Sequence, residues 1–168
     1  MIENFLKDQL MKMKPGELTD VGFCPTCFDR KHNGCIFKDK KEETVVYEDN
    51  DFVIKFVGNP RNIGHMMIST RIHYHDMSEA PDELNDKIFR FAKELMKILV
   101  SVYYCERVYM CTMSDGLANH YHIQLIPRYS EEKRGSSIFV KPREDYIFNE
   151  EKFNQVKEMI QEYAKTQI

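Results

Sequence analysis

The chain has 168 residues, of which 42% are hydrophobic and 30% charged, and its formal net charge is -3. This length and composition fit one domain with a sizeable core, and the small negative charge argues against general adhesion to nucleic acid. The sequence contains no apolar run of bilayer length and no N-terminal charged-then-apolar pattern. We therefore expect a cytoplasmic protein whose five cysteines are metal ligands or free thiols sooner than disulfides.

The N-terminal region predicts a short amphipathic helix over residues 2–13. It is followed by Cys24 and Cys27, whose Cys-x-x-Cys spacing suits one tetrahedral zinc ion. The two cysteines supply half of a zinc site, and the other two ligands have two possible sources at this point. They are either His32 and Cys35, which would close a local knuckle, or two distant histidines from the body of the fold. A redox dithiol is disfavoured, because no strand is predicted before the pair and no helix after it.

The middle of the chain predicts an antiparallel sheet and one long helix. β-branched and aromatic runs indicate strands at 44–48, 52–57, 65–70, 107–113 and 119–128. The helix opens at Pro81, since proline and acidic residues are favoured in a first turn. Its apolar residues recur every three or four positions at Leu84, Ile88, Phe91, Leu95, Ile98 and Val102. This stripe is expected to pack on the sheet.

The last predicted strand carries polar residues that indicate a site. Alternation between two faces places His120, His122 and Gln124 on one side and Tyr121, Ile123 and Leu125 on the other. A lone buried histidine is usually a satisfied core residue. Two imidazoles and an amide in strict alternation need several polar partners, which an inert core does not supply. We therefore interpret the polar face as a functional surface.

The C-terminal residues 129–168 form an extension. Residues 138–140 predict a short edge strand, and Asn149 caps a final helix. The apolar stripe of that helix contains Phe153, Val156, Ile160 and Tyr163. The basic residues Arg128, Lys133 and Arg134 either attract phosphate or form a solvated surface.

Residues 120–128, His-Tyr-His-Ile-Gln-Leu-Ile-Pro-Arg, resemble the signature of the histidine triad (HIT) superfamily. The family motif is His-x-His-x-His, often followed by Pro-Arg. Gln124 replaces the third histidine, as in the galactose-1-phosphate uridylyltransferase branch and the related dinucleoside polyphosphate phosphorylases. Residues 59–68 resemble the family's Pro-x-x-x-Gly-His loop and strand, and residues 45–52 its opening hairpin.

The resemblance implies an α+β, HIT-like fold: a five-stranded antiparallel sheet with one long helix packed on it, and extra N- and C-terminal helices. It implies a single domain over residues 1–168 with a core at about 24–128. The family generally dimerises through the long helix and the strand beside it, so the resemblance also implies a homodimer.

For zinc, the resemblance favours the distant completion. The uridylyltransferase branch implies Cys24, Cys27, His73 and His120 as ligands. His75 in place of His73 is the second choice, and the local knuckle is the third. Four protein ligands leave no open position, so this zinc would be structural.

The resemblance also implies the chemistry. His122 would be the nucleophile that forms a nucleotidyl-histidine, with Gln124 and His120 as its catalytic neighbours. Substrate contacts are expected from Asn59, Gly116, Asn119 and Arg128. Because glutamine neither gives nor takes a proton at neutral pH, Gln124 favours transfer over hydrolysis.

The sequence therefore predicts a nucleotidyl-transferring enzyme, most concretely a phosphorylase of dinucleoside polyphosphates such as diadenosine tetraphosphate. A HIT-type nucleotide hydrolase, acting on dinucleoside polyphosphates or phosphoramidates, is one alternative. The other is a non-catalytic, zinc-stabilised binding module.

Overall fold

The computed structural model of the protein describes residues 8–37, 40–114 and 118–167. Within these ranges five strands form one antiparallel sheet in the order β1-β2-β3-β5-β4. They are β1 (Val45–Glu48), β2 (Phe52–Phe56), β3 (Met66–Thr70), β4 (Arg107–Cys111) and β5 (His122–Arg128). The predicted α+β fold with a five-stranded antiparallel sheet is confirmed. The last strand starts at His122, three residues later than predicted, and lies between β3 and β4.

The helices are α1 (Pro15–Asp20), α2 (Pro25–Lys31), α3 (Lys41–Thr44), α4 (Asp82–Tyr103) and α5 (Glu150–Lys165). Of the predicted helix at 2–13, residues 8–10 are helical, and residues 1–7 lie outside the described ranges. In those ranges no helix combines the length and the apolar composition needed to cross a membrane.

The main core lies between the sheet and α4. The helix buries Ile88, Phe91, Leu95, Ile98 and Val102, as its periodicity predicts, against the apolar face of β5. Each such side chain contributes about 1.5–3 kcal/mol by leaving water. Phe153, Val156 and Ile160 of α5 join the same core, and Asn149 caps α5 by accepting a hydrogen bond from the Lys152 amide at 3.0 Å. One face of β5 is thereby sealed, and its polar face is left for the site.

The predicted edge strand at 138–140 is wrong. Residues Ser136–Val140 form a 3-10 helix instead. Ile138 is buried, and the ring of Phe139 packs on Tyr109 of β4 with 5.7 Å between centroids. Side-chain packing across β4 therefore replaces strand pairing. The 3-10 helix begins directly after Gly135, which has a positive φ.

Beyond this turn, residues 141–146 run beside the loop formed by residues 58–61. The amide of Glu144 donates to the Pro60 carbonyl at 2.9 Å, and the amide of Tyr146 donates to the Gly58 carbonyl at 3.1 Å. We call residues 141–146 the C-terminal strap. It brings the extension to the border of the polar face of the sheet.

Candidate active site and metal centre

The Cys-x-x-Cys pair lies at the start of α2, so the prediction that no helix follows the pair is wrong. Cys24 is the N-cap, its Sγ accepts a hydrogen bond from the Cys27 amide at 3.4 Å, and Pro25 occupies the first turn. Both thiols therefore project from one helix end. Arg30 of the same helix donates through Nη1 to the carbonyl oxygens of Thr70 and Arg71 at 2.8 and 3.0 Å, which attaches α2 to the end of β3.

Four ligand atoms from three segments of the chain converge there. The Sγ atoms of Cys24 and Cys27 and the Nδ1 atoms of His73 and His120 all lie within 4.8 Å of one another. Both sulfurs are 3.4 Å from His120 Nδ1, and His73 Nδ1 is 3.5 Å from the Cys27 sulfur and 3.4 Å from His120 Nδ1. With Zn–S and Zn–N bonds of about 2.3 and 2.0 Å, the edges of a tetrahedral site run from roughly 3.3 to 3.8 Å. The cluster has the dimensions of a zinc site.

The tautomer of His120 agrees with a zinc site, and the Cys27 thiol would need the metal to lose its proton. His120 Nε2 donates to the Thr70 carbonyl at 2.8 Å, which leaves the Nδ1 lone pair directed at the cluster. Burial lowers the pKa of His120 to about 4, although the bond to Thr70 opposes this shift. Burial and the neighbouring Cys24 thiol raise the pKa of Cys27 to about 11. Two thiolates so close together need a cation between them.

The alternative ligands lie elsewhere. His75 Nδ1 is 3.0 Å from the carboxylate of Glu79. The His32 ring packs on Phe28 with 4.4 Å between centroids. Neither of these histidines, nor Cys35, belongs to the four-ligand group found among the described residues.

His122 is the next residue after His120 on the polar face. Its Nδ1 donates to the His120 carbonyl at 2.7 Å, so in the neutral ring the lone pair is on Nε2. Burial lowers the pKa of His122; the hydrogen bond to His120 opposes this shift, and the charge of Arg143 adds to it. A neutral imidazole with a defined lone pair is the nucleophilic form.

Gln124 lies next to this lone pair. Its Nε2 is 3.2 Å from His122 Nε2, which makes Gln124 the donor and turns Oε1 towards His65. His65 accepts a hydrogen bond at Nδ1 from the Arg61 amide at 3.0 Å, so its Nε2 carries the proton. His65 Nε2 and Gln124 Oε1 are both buried, and neither has a partner with hydrogen-bonding geometry in the described part of the chain. They are still a complementary donor and acceptor close enough for the Gln124 side chain to oppose the shift in the pKa of His65. Burial is the larger effect, and it keeps His65 neutral by lowering this pKa to about 3.

The polar face of β5 opens into a cleft of about 1040 Å³, at the upper end of the size range of small-molecule sites. His122 and Gln124 line its floor with Met67 and Ser69, and its walls include Asn59, Asn119, Lys55, Phe37 and Arg143. Such a volume accommodates a nucleotide.

The predicted substrate-binding residues are only partly brought together. Asn59 and Asn119 line the cleft, and Asn119 also donates through Nδ2 to the His75 carbonyl. Gly116 lies outside the described residues. Arg128 does not reach the site, since six residues of strand, about 20 Å, separate it from His122.

Arg128 is instead a structural residue. Its side chain is only 3% exposed and pairs with Glu106 at 2.6 Å. The same guanidinium donates to the carbonyl oxygens of Tyr129 and Glu132 at 3.0 Å. Through these contacts of Nη1 and Nη2, the buried guanidinium holds the end of β5 to the chain that follows it, while Nε has no partner among the described residues.

Arg143 was missed by sequence reasoning. It lies in the C-terminal strap, which the family resemblance does not cover, and it is one of many charged residues after position 128. No pattern in the sequence distinguishes it from a surface residue. His65 lies in the Gly-His segment that resembles the family, but nothing in the sequence alone indicates that its side chain lies close to that of Gln124.

The sheet order and the polar face of β5 define an α+β protein with a histidine site on the last strand of its sheet. A family model for the HIT domain matches residues 38–131. The chain belongs to the HIT family. A HIT-like protein of Methanocaldococcus jannaschii is 32% identical over 91 residues, which cover 51% of this chain and 68% of that protein.

Solved structures share the fold. A zinc-bound histidine triad protein from Mycobacterium smegmatis has a TM-score of 0.57 and 15% identity, covering 73% of this chain and 86% of the other. A diadenosine triphosphate hydrolase of Plasmodium falciparum, in complex with cyclomarin A, has a TM-score of 0.56 and 19% identity, covering 74% and 80%. At these identities the likeness shows a common fold.

Proposed function

We propose that this protein is a nucleotidyl-transferring enzyme that acts on dinucleoside polyphosphates, most concretely a diadenosine tetraphosphate phosphorylase. One observation carries the proposal. His122 presents a neutral Nε2 lone pair to a nucleotide-sized cleft, with its Nδ1 proton held by the His120 carbonyl at 2.7 Å. The orientation leaves the imidazole ready for attack on phosphorus.

In the first half-reaction, His122 Nε2 attacks an α-phosphorus. The N–P bond forms as the bond from phosphorus to the bridging oxygen breaks, and the nucleoside polyphosphate leaves with the electron pair. The imidazole becomes positively charged, and the His120 carbonyl stabilises its Nδ1–H. The Gln124 amide, 3.2 Å from the lone pair before substrate enters, is placed to donate to a phosphate oxygen instead.

In the second half-reaction, an oxygen of inorganic phosphate attacks the same phosphorus and the N–P bond breaks. The products of diadenosine tetraphosphate would be one ATP and one ADP. Because Gln124 occupies the place of a third imidazole, the site has less capacity to activate water. This favours phosphate as the acceptor.

We further propose that Cys24, Cys27, His73 and His120 hold a structural zinc ion. The 3.4–3.5 Å separations between their ligand atoms support it. With four protein ligands the ion would stabilise the site without an open position for substrate. The side chains themselves would join α2 to the residues that precede β5.

A homodimer through α4 and β4 is also proposed. Within the described chain β4 forms one end of the sheet, and its residue Met110 is 39% exposed. Sedimentation equilibrium tests this directly. A concentration-independent monomer mass would refute it.

The test of the activity uses diadenosine tetraphosphate with and without inorganic phosphate. We expect ADP and ATP only when phosphate is present, and an acid-labile adduct that is absent from His122→Ala. AMP and ATP formed without phosphate would identify a hydrolase of the same family instead. No adduct with any nucleotide, together with binding of a macromolecule through the cysteine segment, would identify a binding module.

A further inference from the structure

The C-terminal strap places a guanidinium beside the site. Arg143 lines the same cleft as His122, and its charge helps to lower the pKa of His65. No hydrogen bond in the described structure joins Arg143 to His122 or Gln124. The guanidinium therefore lies farther from His122 Nε2 than the Gln124 amide does, but in the same cleft.

A second arginine stands next to it. Arg61 acts electrostatically on Arg143, and together with burial this lowers the pKa of Arg143. Arg61 Nε is buried without a partner, and in the described part of the chain no carboxylate forms an ion pair with either arginine. The two guanidiniums repel each other, and no carboxylate among the described residues offsets this repulsion. A bound anion would do so.

The strap fixes this arrangement. Arg143 Nη1 donates to the Asn59 carbonyl at 2.7 Å, and Arg61 Nη1 donates to the Lys141 carbonyl at 2.7 Å. Each bond uses one of five guanidinium N–H groups. Arg143 thus lines the cleft with donors beyond the one that binds Asn59, and it does so on a segment held in place before any ligand arrives.

We infer that the C-terminal strap is part of the substrate site, and that Arg143, supported by Arg61, binds a phosphate group beyond the one attacked by His122. The inference rests on the proposed function and specifies its substrate class as nucleotides with a chain of phosphates. Planar guanidinium donors match phosphate oxygens in pairs, which makes such contacts strong and directional. Arg143 is thus a specificity residue supplied by the extension.

Equilibrium binding tests the inference without turnover. In a His122→Ala background, calorimetry compares ATP with AMP before and after Arg143→Gln. We expect the affinity for ATP to fall roughly 10- to 100-fold, as for loss of a charge-assisted hydrogen bond, and the affinity for AMP to change less than about threefold. Arg143→Lys, which keeps the charge, should recover part of the loss.

Arg134→Gln is the matched control, because it removes the same charge from the same extension but does not line the cleft. It should leave both affinities unchanged. Equal losses for ATP and AMP in Arg143→Gln, or no loss for ATP, would overturn the inference. Selective loss of ATP affinity in a protein that shows no phosphorolysis would uphold the inference while refuting the proposed function.

Discussion

The side-chain amide of Gln124 points its nitrogen at the Nε2 lone pair of His122 across 3.2 Å. The protons of the two neighbouring imidazoles fix the orientation of this amide. His122 Nε2 is an acceptor and is met by the Gln124 nitrogen, whereas His65 Nε2 is a donor and matches the Gln124 oxygen. In the proposed reaction, residue 124 therefore determines which hydrogen-bonding group meets the substrate beside His122 Nε2. We expect its side chain to decide whether phosphate or water accepts the nucleotidyl group.

Replacement of Gln124 by histidine should move the product balance towards hydrolysis. An imidazole supplies the proton transfer that an amide lacks, an effect typically worth 10²–10⁴-fold. We expect the ratio of AMP to ADP formed from diadenosine tetraphosphate at fixed phosphate to rise at least several-fold in Gln124→His. Gln124→Leu, which removes the donor, should instead lower both rates by about 100-fold. An unchanged product ratio in the histidine variant would contradict this account.

Substitution of Cys27 by serine should remove the metal. The sulfur lies 3.4–3.5 Å from two other ligand atoms, so its loss leaves three ligands and an incomplete tetrahedron. We expect the purified variant to contain well under one zinc per chain by elemental analysis and to melt several degrees lower. Cys35→Ser is the control and should keep its zinc. If Cys35→Ser lost the metal, the local knuckle would be the correct site.

Replacement of Gly64 by alanine should destabilise the protein more than the same change at Gly22. Both glycines have positive φ, 76° and 83°, which costs an alanine about 1 kcal/mol. A Cβ at Gly64 would also stand 3.1 Å from Tyr103 Cγ and 3.2 Å from Pro127 Cγ, whereas Gly22 has no atom within 4 Å. Urea unfolding should show losses of roughly 2–4 kcal/mol for Gly64→Ala and about 1 kcal/mol for Gly22→Ala. Equal losses would mean that backbone strain alone matters.

His65 should make the protein less stable as the pH falls. Its pKa is lowered from 6.5 to about 3 in the folded state, so below pH 6.5 the unfolded chain binds a proton that the folded chain excludes. At 1.36 kcal/mol per pH unit, His65 accounts for about 2 kcal/mol of lost stability at pH 5.

The comparison of wild type with His65→Gln isolates this contribution. Arg61, Arg143 and His122 also act on this imidazole, and they are present in both proteins. The difference between unfolding free energies at pH 7 and pH 5 should be about 2 kcal/mol smaller in the variant. Identical differences would show that His65 is accessible to protons in the folded state.

Elements with long, regular patterns were predictable from the sequence, and so were the short strands rich in β-branched and aromatic residues. Helix α2 and the segment at 138–140 were not. The stripe of α4 and the alternation on β5 continue over enough residues for periodicity to decide the structure. Helix α2 has seven residues and depends on capping by Cys24 and on the contact of Arg30 with β3. The segment at 138–140 has strand-forming residues, but its position over Tyr109 is set by tertiary packing.

The candidate site divides in a similar way. The four proposed zinc ligands and the pair His122 and Gln124 follow from motifs that the family resemblance supplies, and the structure brings the residues of each group together. The positive charge of Arg128 predicted a contact with substrate phosphate, but the residue pairs with Glu106, which lies 22 positions earlier in the chain and which no local pattern indicates. Arg143 reaches the cleft only because the strap turns back along residues 58–61. Contacts between residues so far apart in the chain cannot be predicted from local sequence patterns.

His120 contributes its ring to the cysteine cluster and its main-chain oxygen to His122. The residue therefore has two structural roles, and only one of them depends on the identity of its side chain. A substitution of His120 would keep the main-chain oxygen but lose the contacts with Cys24, Cys27 and His73 that help to hold it in place. Such a variant would need another attachment for residue 120 to keep its carbonyl beside His122.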